Sequence, residues 1–246
     1  MQVVAKTDIG KVREINQDYV KVIHKTENEC LAILCDGMGG HRAGEVASAL
    51  ACETIANFYL ETNDLYDETS IRIWLYQAIM KAHHTIYEEG QKDSELEGMG
   101  TTVVAVLVKE QHVYISHVGD SRAYTYSDHE LKQLTKDDTL VNALLSAGTI
   151  SKEDALFHPQ KNVLLQAVGV SDAIQPSFLS MEYEGMLLLC SDGLYNSLFD
   201  EQMIDILKQD TDLENICDQL IKEANVYGGK DNIGIILINN KGVNQA

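Results

Sequence analysis

The chain has 246 residues, of which 45% are hydrophobic, and a formal net charge of −19. One domain of this length can bury about 70–75% of the surface of its unfolded chain, so a large core is possible. The negative charge disfavours nucleic acid and anionic lipid as partners and favours cations. No tract approaches 18 apolar residues, and charges interrupt the N-terminus early, so we expect neither a membrane span nor a signal peptide.

The cysteines and the linker composition indicate the compartment and the domain organisation. The five cysteines are odd in number, lack CxxC spacing and lie partly inside apolar runs. This predicts reduced core thiols in a cytoplasmic protein. Because the sequence has no internal repeat, no low-complexity linker and only two prolines, we expect a single domain over residues 1–246. We also expect a monomer.

The first third of the chain alternates between strand and helix patterns. A polar connector that contains Arg13 and ends at Asp18 separates the first two predicted strands. A run of five apolar residues then predicts a strand that is buried on both faces and ends at Asp36. Apolar residues at helical spacing predict the helices that follow. The predicted elements are strands at 1–7, 19–25 and 30–36, and helices at 43–60 and 71–86.

The middle of the chain predicts a β-meander followed by an insertion. The meander has strands at 101–108, 113–118 and 123–126, with a weak continuation at 131–134. Two short helices, at 140–147 and 152–157, and an apolar strand at 163–168 follow. A long insertion of small helices between strands is often a lid or a binding flap. We therefore predict a flap at about 138–169.

The last third repeats the pattern of a buried strand that ends in an acid and a glycine. The strand at 186–190 is followed by Ser191-Asp192-Gly193, and a clear helical stripe extends from 213 to 224. A glycine-rich turn that contains Asp231 then precedes the final predicted strand at 233–238.

Four acids share one context, since each lies at the end of an apolar strand and close to glycine: Asp36, Asp120, Asp192 and Asp231. Each alone is typical of a turn. Together they suggest strands that converge to place carboxylates at one edge, where repulsion would separate them unless cations bind. Oxygen ligands without histidine or cysteine favour Mg²⁺ or Mn²⁺ over Zn²⁺. Two such ions could activate a water for in-line attack on phosphorus.

Six ordered motifs, which together span almost the whole chain, resemble the metal-dependent serine/threonine protein phosphatases of type 2C, in their bacterial branch. The motifs are Asn16-Gln17-Asp18, Asp36-Gly37-Met38-Gly39-Gly40, Gly100-Thr101-Thr102, Gly119-Asp120-Ser121-Arg122, Ser191-Asp192-Gly193-Leu194 and Gly228-Gly229-Lys230-Asp231-Asn232. The resemblance implies an α+β fold, a four-layer αββα sandwich of two antiparallel sheets flanked by helices, with a metal site at one end of the sheets.

The resemblance also implies roles for individual residues. Asp36 would bridge two core Mn²⁺ or Mg²⁺ ions, the Gly37 carbonyl would bind the second ion, and Asp192 and Asp231 would hold the first. Asp120, with Asp192, would bind a weaker third ion. Further roles are implied around the metals: Arg13 would clamp the phosphate, Asp18 would orient water on the metals, and Asn232 would support the same network.

The sequence departs from the family pattern at the proposed proton donor. Animal members have a histidine where Met38 stands, and His41 is the nearest replacement, either as general acid or as a structural residue at a helix start. The flap also differs, with Asp137-Asp138 and Leu165-Gln166 in place of commoner pairs, and Gly234 replaces a frequent threonine.

Two functional hypotheses remain. The first is an active phosphatase that acts on phosphoserine and phosphothreonine proteins, as the counterpart of a bacterial serine/threonine kinase. The second is a phosphatase-like regulatory or binding module without turnover. The intact set of acids favours the first.

Overall fold

The structure is a computed structural model that describes residues 1–40, 42–63, 65–170 and 173–240. In these ranges the chain forms eleven strands, seven α-helices and one short 3₁₀ helix at Ser94–Leu96. The strands are β1 (Gln2–Asp8), β2 (Asp18–Thr26), β3 (Glu29–Met38), β4 (Gly100–Thr101), β5 (Val103–Lys109), β6 (His112–Val118), β7 (Arg122–Ser127), β8 (Glu130–Gln133), β9 (Ser177–Glu182), β10 (Met186–Cys190) and β11 (Ile233–Asn239). The helices are α1 (Ala43–Glu61), α2 (Glu68–Lys92), α3 (Leu140–Ser146), α4 (Lys152–Leu156), α5 (Asp192–Tyr195), α6 (Asp200–Leu207) and α7 (Leu213–Val226).

The strands form two antiparallel sheets. The first sheet has the order β1-β11-β10-β7-β8, and the second has the order β2-β3-β5-β6-β9, with the short β4 paired to the end of β3. Neighbouring strands are antiparallel in both sheets. The predicted α+β fold class is therefore confirmed.

Several strands are uninterrupted runs of apolar residues because both faces of each strand are buried. In β3, Leu31 and Ile33 belong to the core between the second sheet and its helices, whereas Ala32 and Leu34 belong to the core between the two sheets. The strands β5, β10 and β11 divide their side chains between two cores in the same way. Because successive side chains point to opposite faces, each of these strands contributes to two neighbouring layers of the sandwich.

Helices cover the outer face of each sheet. On the second sheet, α1 and α2 form a shared core in which Trp74 stacks on Phe58 and donates a hydrogen bond from Nε1 to Thr62 Oγ1 at 2.9 Å. On the first sheet, α6 and α7 pack through residues such as Met203 and Leu220. The layers therefore follow the order helix, sheet, sheet, helix. No helix in the described ranges is long and apolar enough to cross a membrane.

Two strand predictions need correction. The strand predicted to end at Asp36 continues to Met38, because Gly37 and Met38 pair with β4. The strand predicted at 163–168 is wrong, since this segment makes only isolated bridges and Val163 and Leu165 are 43% and 54% exposed. Val163 and Leu165 lie at the surface of the flap, whereas Ala167 and Val168 are buried without forming a strand. The strand β9, which mixes polar and apolar residues, was not predicted.

Candidate functional site

The four acids identified from the sequence lie around one cleft of about 310 Å³. The residues that line this cleft are Arg13, Gln17, Asp36, Gly37, Met38, Gly39, Thr102, Asp120, Asn162, Leu164, Asp192, Asp231 and Asn232. A larger cavity, of about 480 Å³, opens at the opposite end of the first sheet and contains none of the four acids. We therefore identify the site by its chemistry and not by its size.

Strand pairing positions the first two carboxylates. In the ladder between β2 and β3, Asp18 lies directly opposite Asp36. The backbone of Asp36 is held by Thr102, whose hydroxyl accepts a hydrogen bond from Asp36 N at 3.0 Å and whose own N donates to Asp36 O at 2.9 Å. The carboxylate of Asp36 thus projects from a backbone that is fixed on both sides.

Two glycines allow the backbone segments of the site to approach each other. A Cβ atom at Gly37 would lie 2.0 Å from the carbonyl oxygen of Gly44 in α1, and one at Gly193 would lie 1.9 Å from the carbonyl oxygen of Asn232. Neither position can carry a side chain without moving the backbone. The glycines therefore bring Asp36 against the start of α1 and Asp192 against the loop that contains Asp231.

Burial and mutual repulsion make the carboxylates poor anions in the absence of a cation. Burial, together with the charges of the neighbouring aspartates, raises the pKa of Asp36 well above its ordinary value. Burial and the charges of Asp120 and Asp231 raise the pKa of Asp192 to about 7. Burial and the charge of Asp137 raise the pKa of Asp120 to about 6. A bound cation would relieve each of these costs.

Asp18 lies behind the cleft and is held by one hydroxyl group. Ser191, which is fully buried, donates a hydrogen bond to Asp18 Oδ2 at 2.6 Å and accepts one from Gly234 N at 2.8 Å. The other oxygen, Asp18 Oδ1, is buried and has no hydrogen-bond partner among the described residues. Burial raises the pKa of Asp18 to about 7, although the Ser191 hydrogen bond opposes the rise.

Ser191 and Gly234 are functional candidates that the sequence analysis did not recognise. A Cβ atom at Gly234 would lie 3.2 Å from Asp18 Oδ2, which is tighter than an ordinary contact. Glycine at this position thus leaves room for the Asp18 carboxylate. The sequence signals were the place of Ser191 in the Ser-Asp-Gly motif and the glycine at position 234 where the family often has threonine.

Arg13 lies at the mouth of the cleft. Its Nη2 atom donates a hydrogen bond to Asp231 Oδ2 at 2.7 Å, and its side chain is 51% exposed. The amide of Asn232 joins the two loops concerned, because its Nδ2 donates to the carbonyls of Ile9 and Ile15 while its Oδ1 accepts from Gln17 N. Asn232 thus holds these loops together, and its role in the network that orients water stays a prediction.

A buried ion pair supports the loop that contains Asp120. The guanidinium of Arg122 binds both carboxylate oxygens of Asp137, with the shortest contact at 2.7 Å, and lies 3.6 Å from the centre of the Tyr195 ring. Tyr195 in turn donates a hydrogen bond to the carbonyl of Asp120 at 3.1 Å. Asp137, one of the two flap acids noted from the sequence, is thus part of the support of the site.

The predicted flap contributes Asn162 and Leu164 to the wall of the cleft and is anchored at both ends. At its start, Asp138 Oδ2 accepts hydrogen bonds from Gly119 N at 3.0 Å and from Gln166 Nε2 at 2.8 Å. At its end, Gly169 N donates to Nδ1 of the buried His83 at 3.0 Å.

The donor set suits hard divalent ions that keep part of their water shell. Among the described residues, no group of three histidine, cysteine, aspartate or glutamate side chains is compact enough to hold an ion. Mg²⁺ usually binds one or two carboxylates and retains several waters, so it needs no closed protein cage. Carboxylate and carbonyl oxygens also suit Mn²⁺. The buried, mutually repelling acids therefore fit these ions. His41, the predicted general acid, lies outside the described residues.

Comparison with known proteins agrees with this chemistry. Residues 11–233 match the family described as Protein phosphatase 2C. The serine/threonine phosphatase stp of Listeria monocytogenes is 41% identical over 95% of this chain and 93% of its own length. The protein phosphatase PhpP of Streptococcus pneumoniae is 38% identical over 97% of both chains.

Solved structures of similar proteins share the fold. The serine/threonine phosphatase of S. agalactiae superposes with a TM-score of 0.91 at 38% identity, over 97% of this chain and 98% of that one. The catalytic domain of the serine/threonine protein phosphatase PstP, in complex with two manganese ions, superposes with a TM-score of 0.81 at 33% identity, over 96% of both chains.

Proposed function

We propose, from the premise that the chain belongs to the protein phosphatase 2C family, that it hydrolyses phosphoserine and phosphothreonine in proteins with the help of two Mn²⁺ or Mg²⁺ ions. The observation that carries the proposal is the cleft in which buried aspartates raise one another's pKa beside the arginine Arg13. Such a cleft concentrates negative charge that only cations can offset, and the structure of PstP with two manganese ions supports the stoichiometry.

The proposed core ligands are carboxylate oxygens and one backbone carbonyl. Asp36 would be a ligand of both ions, the Gly37 carbonyl would bind one of them, and Asp192 and Asp231 would bind the other. Asp120 and Asp192 would hold a weaker third ion. When bound, ions of this kind neutralise phosphoryl charge and lower the pKa of water.

The remaining groups bind and orient the reactants. Arg13 uses one of its five N–H donors in the ion pair with Asp231, so the others can bind the oxygens of a phosphate. Asp18 Oδ1, which lacks a partner among the described residues, would accept a hydrogen bond from a water on the metals, while Ser191 holds Oδ2. His41 donates a proton to the leaving serine or threonine oxygen.

The proposal extends to the cellular setting. We propose that the protein acts as a cytoplasmic monomer with a single catalytic domain, in which the flap at 138–169 contacts protein substrates, and that it opposes a bacterial serine/threonine kinase. The names of the Listeria relative and of the S. agalactiae structure support the substrate class, because both are called serine/threonine phosphatases.

Release of phosphate from p-nitrophenyl phosphate and from phosphoserine and phosphothreonine peptides tests the proposal. We expect release with Mn²⁺ and none with chelator. The variant Asp36→Asn should lose the activity, whereas Asp205→Asn, the same chemical change at an exposed carboxylate of α6, should retain it. Metal-independent release would contradict the proposed metal centre, and no release from any substrate would favour the regulatory module.

A further inference from the structure

Two loops beside the cleft are locked together by hydrogen bonds. We call residues 9–14, which belong to the first loop, and residues 226–230, which comprise the last residue of α7 and the loop after it, the docking rim. Lys11 N donates to the carbonyl of Gly229 at 2.7 Å, and the Asn232 amide binds the carbonyls of Ile9 and Ile15. The same loops carry the ion pair between Arg13 and Asp231 at the mouth of the cleft. The docking rim is therefore a pre-organised surface continuous with the catalytic cleft.

The docking rim exposes several apolar side chains. Val12, Val226 and Tyr227 are 65%, 61% and 58% exposed, and Ile9 is 39% exposed. Single exposed apolar residues are normal, but a group of four on two joined loops is typical of an interaction surface. Because hydrogen bonds hold the loop backbones, ordering them for a partner costs little additional entropy.

The docking rim is also basic in a chain that is strongly acidic. Lys11 and Lys230 are exposed, and neither forms an ion pair with a described carboxylate. Arg13 adds a positive charge that Asp231 offsets in their ion pair, and Glu14 is an exposed acid on the same segment. With 38 acids and 19 lysines and arginines in the whole chain, unpaired lysines at the cleft give a local charge opposite to the net charge. This pattern complements an acidic partner.

We propose that the docking rim binds the substrate segment beside the phosphorylated residue and selects segments that combine acidic residues with an apolar residue. The inference rests on the proposed function, since the bound segment is that of a phosphoprotein whose phosphate enters the cleft. Val12, Val226 and Tyr227 bind the apolar side chain, and Lys11 and Lys230 bind the acids. The docking rim recognises the charge and polarity of the segment over an exposed surface. It therefore contributes to selectivity between substrates.

Two phosphothreonine peptides test the charge requirement. They differ only in that two glutamates beside the phosphothreonine are replaced by glutamines. At low salt we expect kcat/KM to be about three- to tenfold higher for the glutamate peptide, which is within the range for two exposed ion pairs, and the preference should disappear at high salt. In the double variant Lys11→Ala with Lys230→Ala, the ratio should approach one.

A matched control removes the same charge elsewhere. Lys81 lies on α2 and Lys132 on β8, at the far edge of the first sheet. The double variant Lys81→Ala with Lys132→Ala should keep the wild-type ratio. Equal loss in both double variants would assign the preference to net charge and overturn the inference, as would a ratio of one in the wild-type enzyme.

The apolar requirement is tested with Val12→Ser. This variant should lose its preference for a peptide with leucine over one with serine at the same position, and an unchanged preference would contradict the apolar part of the docking rim. Fluorescence anisotropy of the labelled peptides reports docking without turnover. If no substrate is hydrolysed, the proposed function fails, whereas the anisotropy measurement still decides whether the docking rim binds the acidic peptide.

Discussion

Ser191→Ala removes one hydroxyl group that serves two buried partners. The Ser191 side chain donates to Asp18 Oδ2 at 2.6 Å and accepts from Gly234 N at 2.8 Å, and the residue is fully buried. After the substitution, Gly234 N loses its side-chain acceptor and Asp18 loses its hydroxyl donor. Asp18 begins β2 in one sheet, whereas Ser191 follows β10 and Gly234 lies in β11 of the other sheet. The hydroxyl therefore also joins the two sheets of the sandwich.

The expected loss of stability follows from the two bonds. A hydrogen bond to a charged group contributes about 1.5–3 kcal/mol, and an unsatisfied buried N–H costs about 1–3 kcal/mol. Since both effects share one hydroxyl, we expect a combined loss of about 2–4 kcal/mol in the free energy of unfolding. For a chain of this length, that lowers Tm by roughly 5–15 °C.

Urea unfolding without metal at pH 8, where Asp18 is mostly ionised, measures the effect. The control is Ser116→Ala, which removes one hydrogen bond from an equally buried serine to the carbonyl of Ser177 and should cost about 1 kcal/mol. We also expect Ser191→Ala to lower kcat through a misplaced Asp18. If Ser191→Ala is no more destabilising than Ser116→Ala, then Ser191 does not hold Asp18 as we describe.

Three further predictions concern the metal site. In the metal-free protein, the folded-state pKa of Asp192, about 7, lies above its unfolded value of 3.8, so stability is greatest below pH 4 for this group and falls as pH rises to about 7. Melting curves should show this fall, and Mn²⁺ should reverse it above pH 7. Asp192→Asn should abolish turnover, whereas Asp120→Asn should keep tight Mn²⁺ binding in calorimetric titration; loss of all tight sites in the latter would contradict our division of ligands. His41→Ala should reduce kcat about 10²- to 10⁴-fold on a phosphoserine peptide and far less on p-nitrophenyl phosphate, whose leaving group needs no proton, while equal losses would indicate a structural role.

Local patterns in the sequence were sufficient for most of the fold. The strands β3, β10 and β11 are apolar at every position of their buried runs, and the stripe of α7 has helical spacing, so each element could be assigned from its own residues. The order of the six motifs was sufficient to group Asp36, Asp120, Asp192 and Asp231 at one site. Such assignments succeed because periodicity reflects which faces of an element are buried.

The sequence of the flap does not show which of its apolar side chains are exposed. Val163 and Leu165 are apolar in a run that looks like a buried strand, but they lie at the surface. In β9, by contrast, polar residues are interspersed with apolar ones, and a strand that exists was not predicted. Apolar composition indicates a strand only where another layer covers it, and the covering layer is not encoded in the segment itself.

The sequence by itself determined the order of the elements and the chemical type of the site, because both depend on residue types at short spacing. Only the tertiary structure decided that Ser191 holds Asp18, that Gly234 leaves room for that carboxylate, and that the loops around Lys11 and Lys230 form one surface. These contacts join residues that are more than 40 positions apart, or more than 200 in the case of the loops. Their geometry depends on how the two sheets pack, which no local pattern specifies.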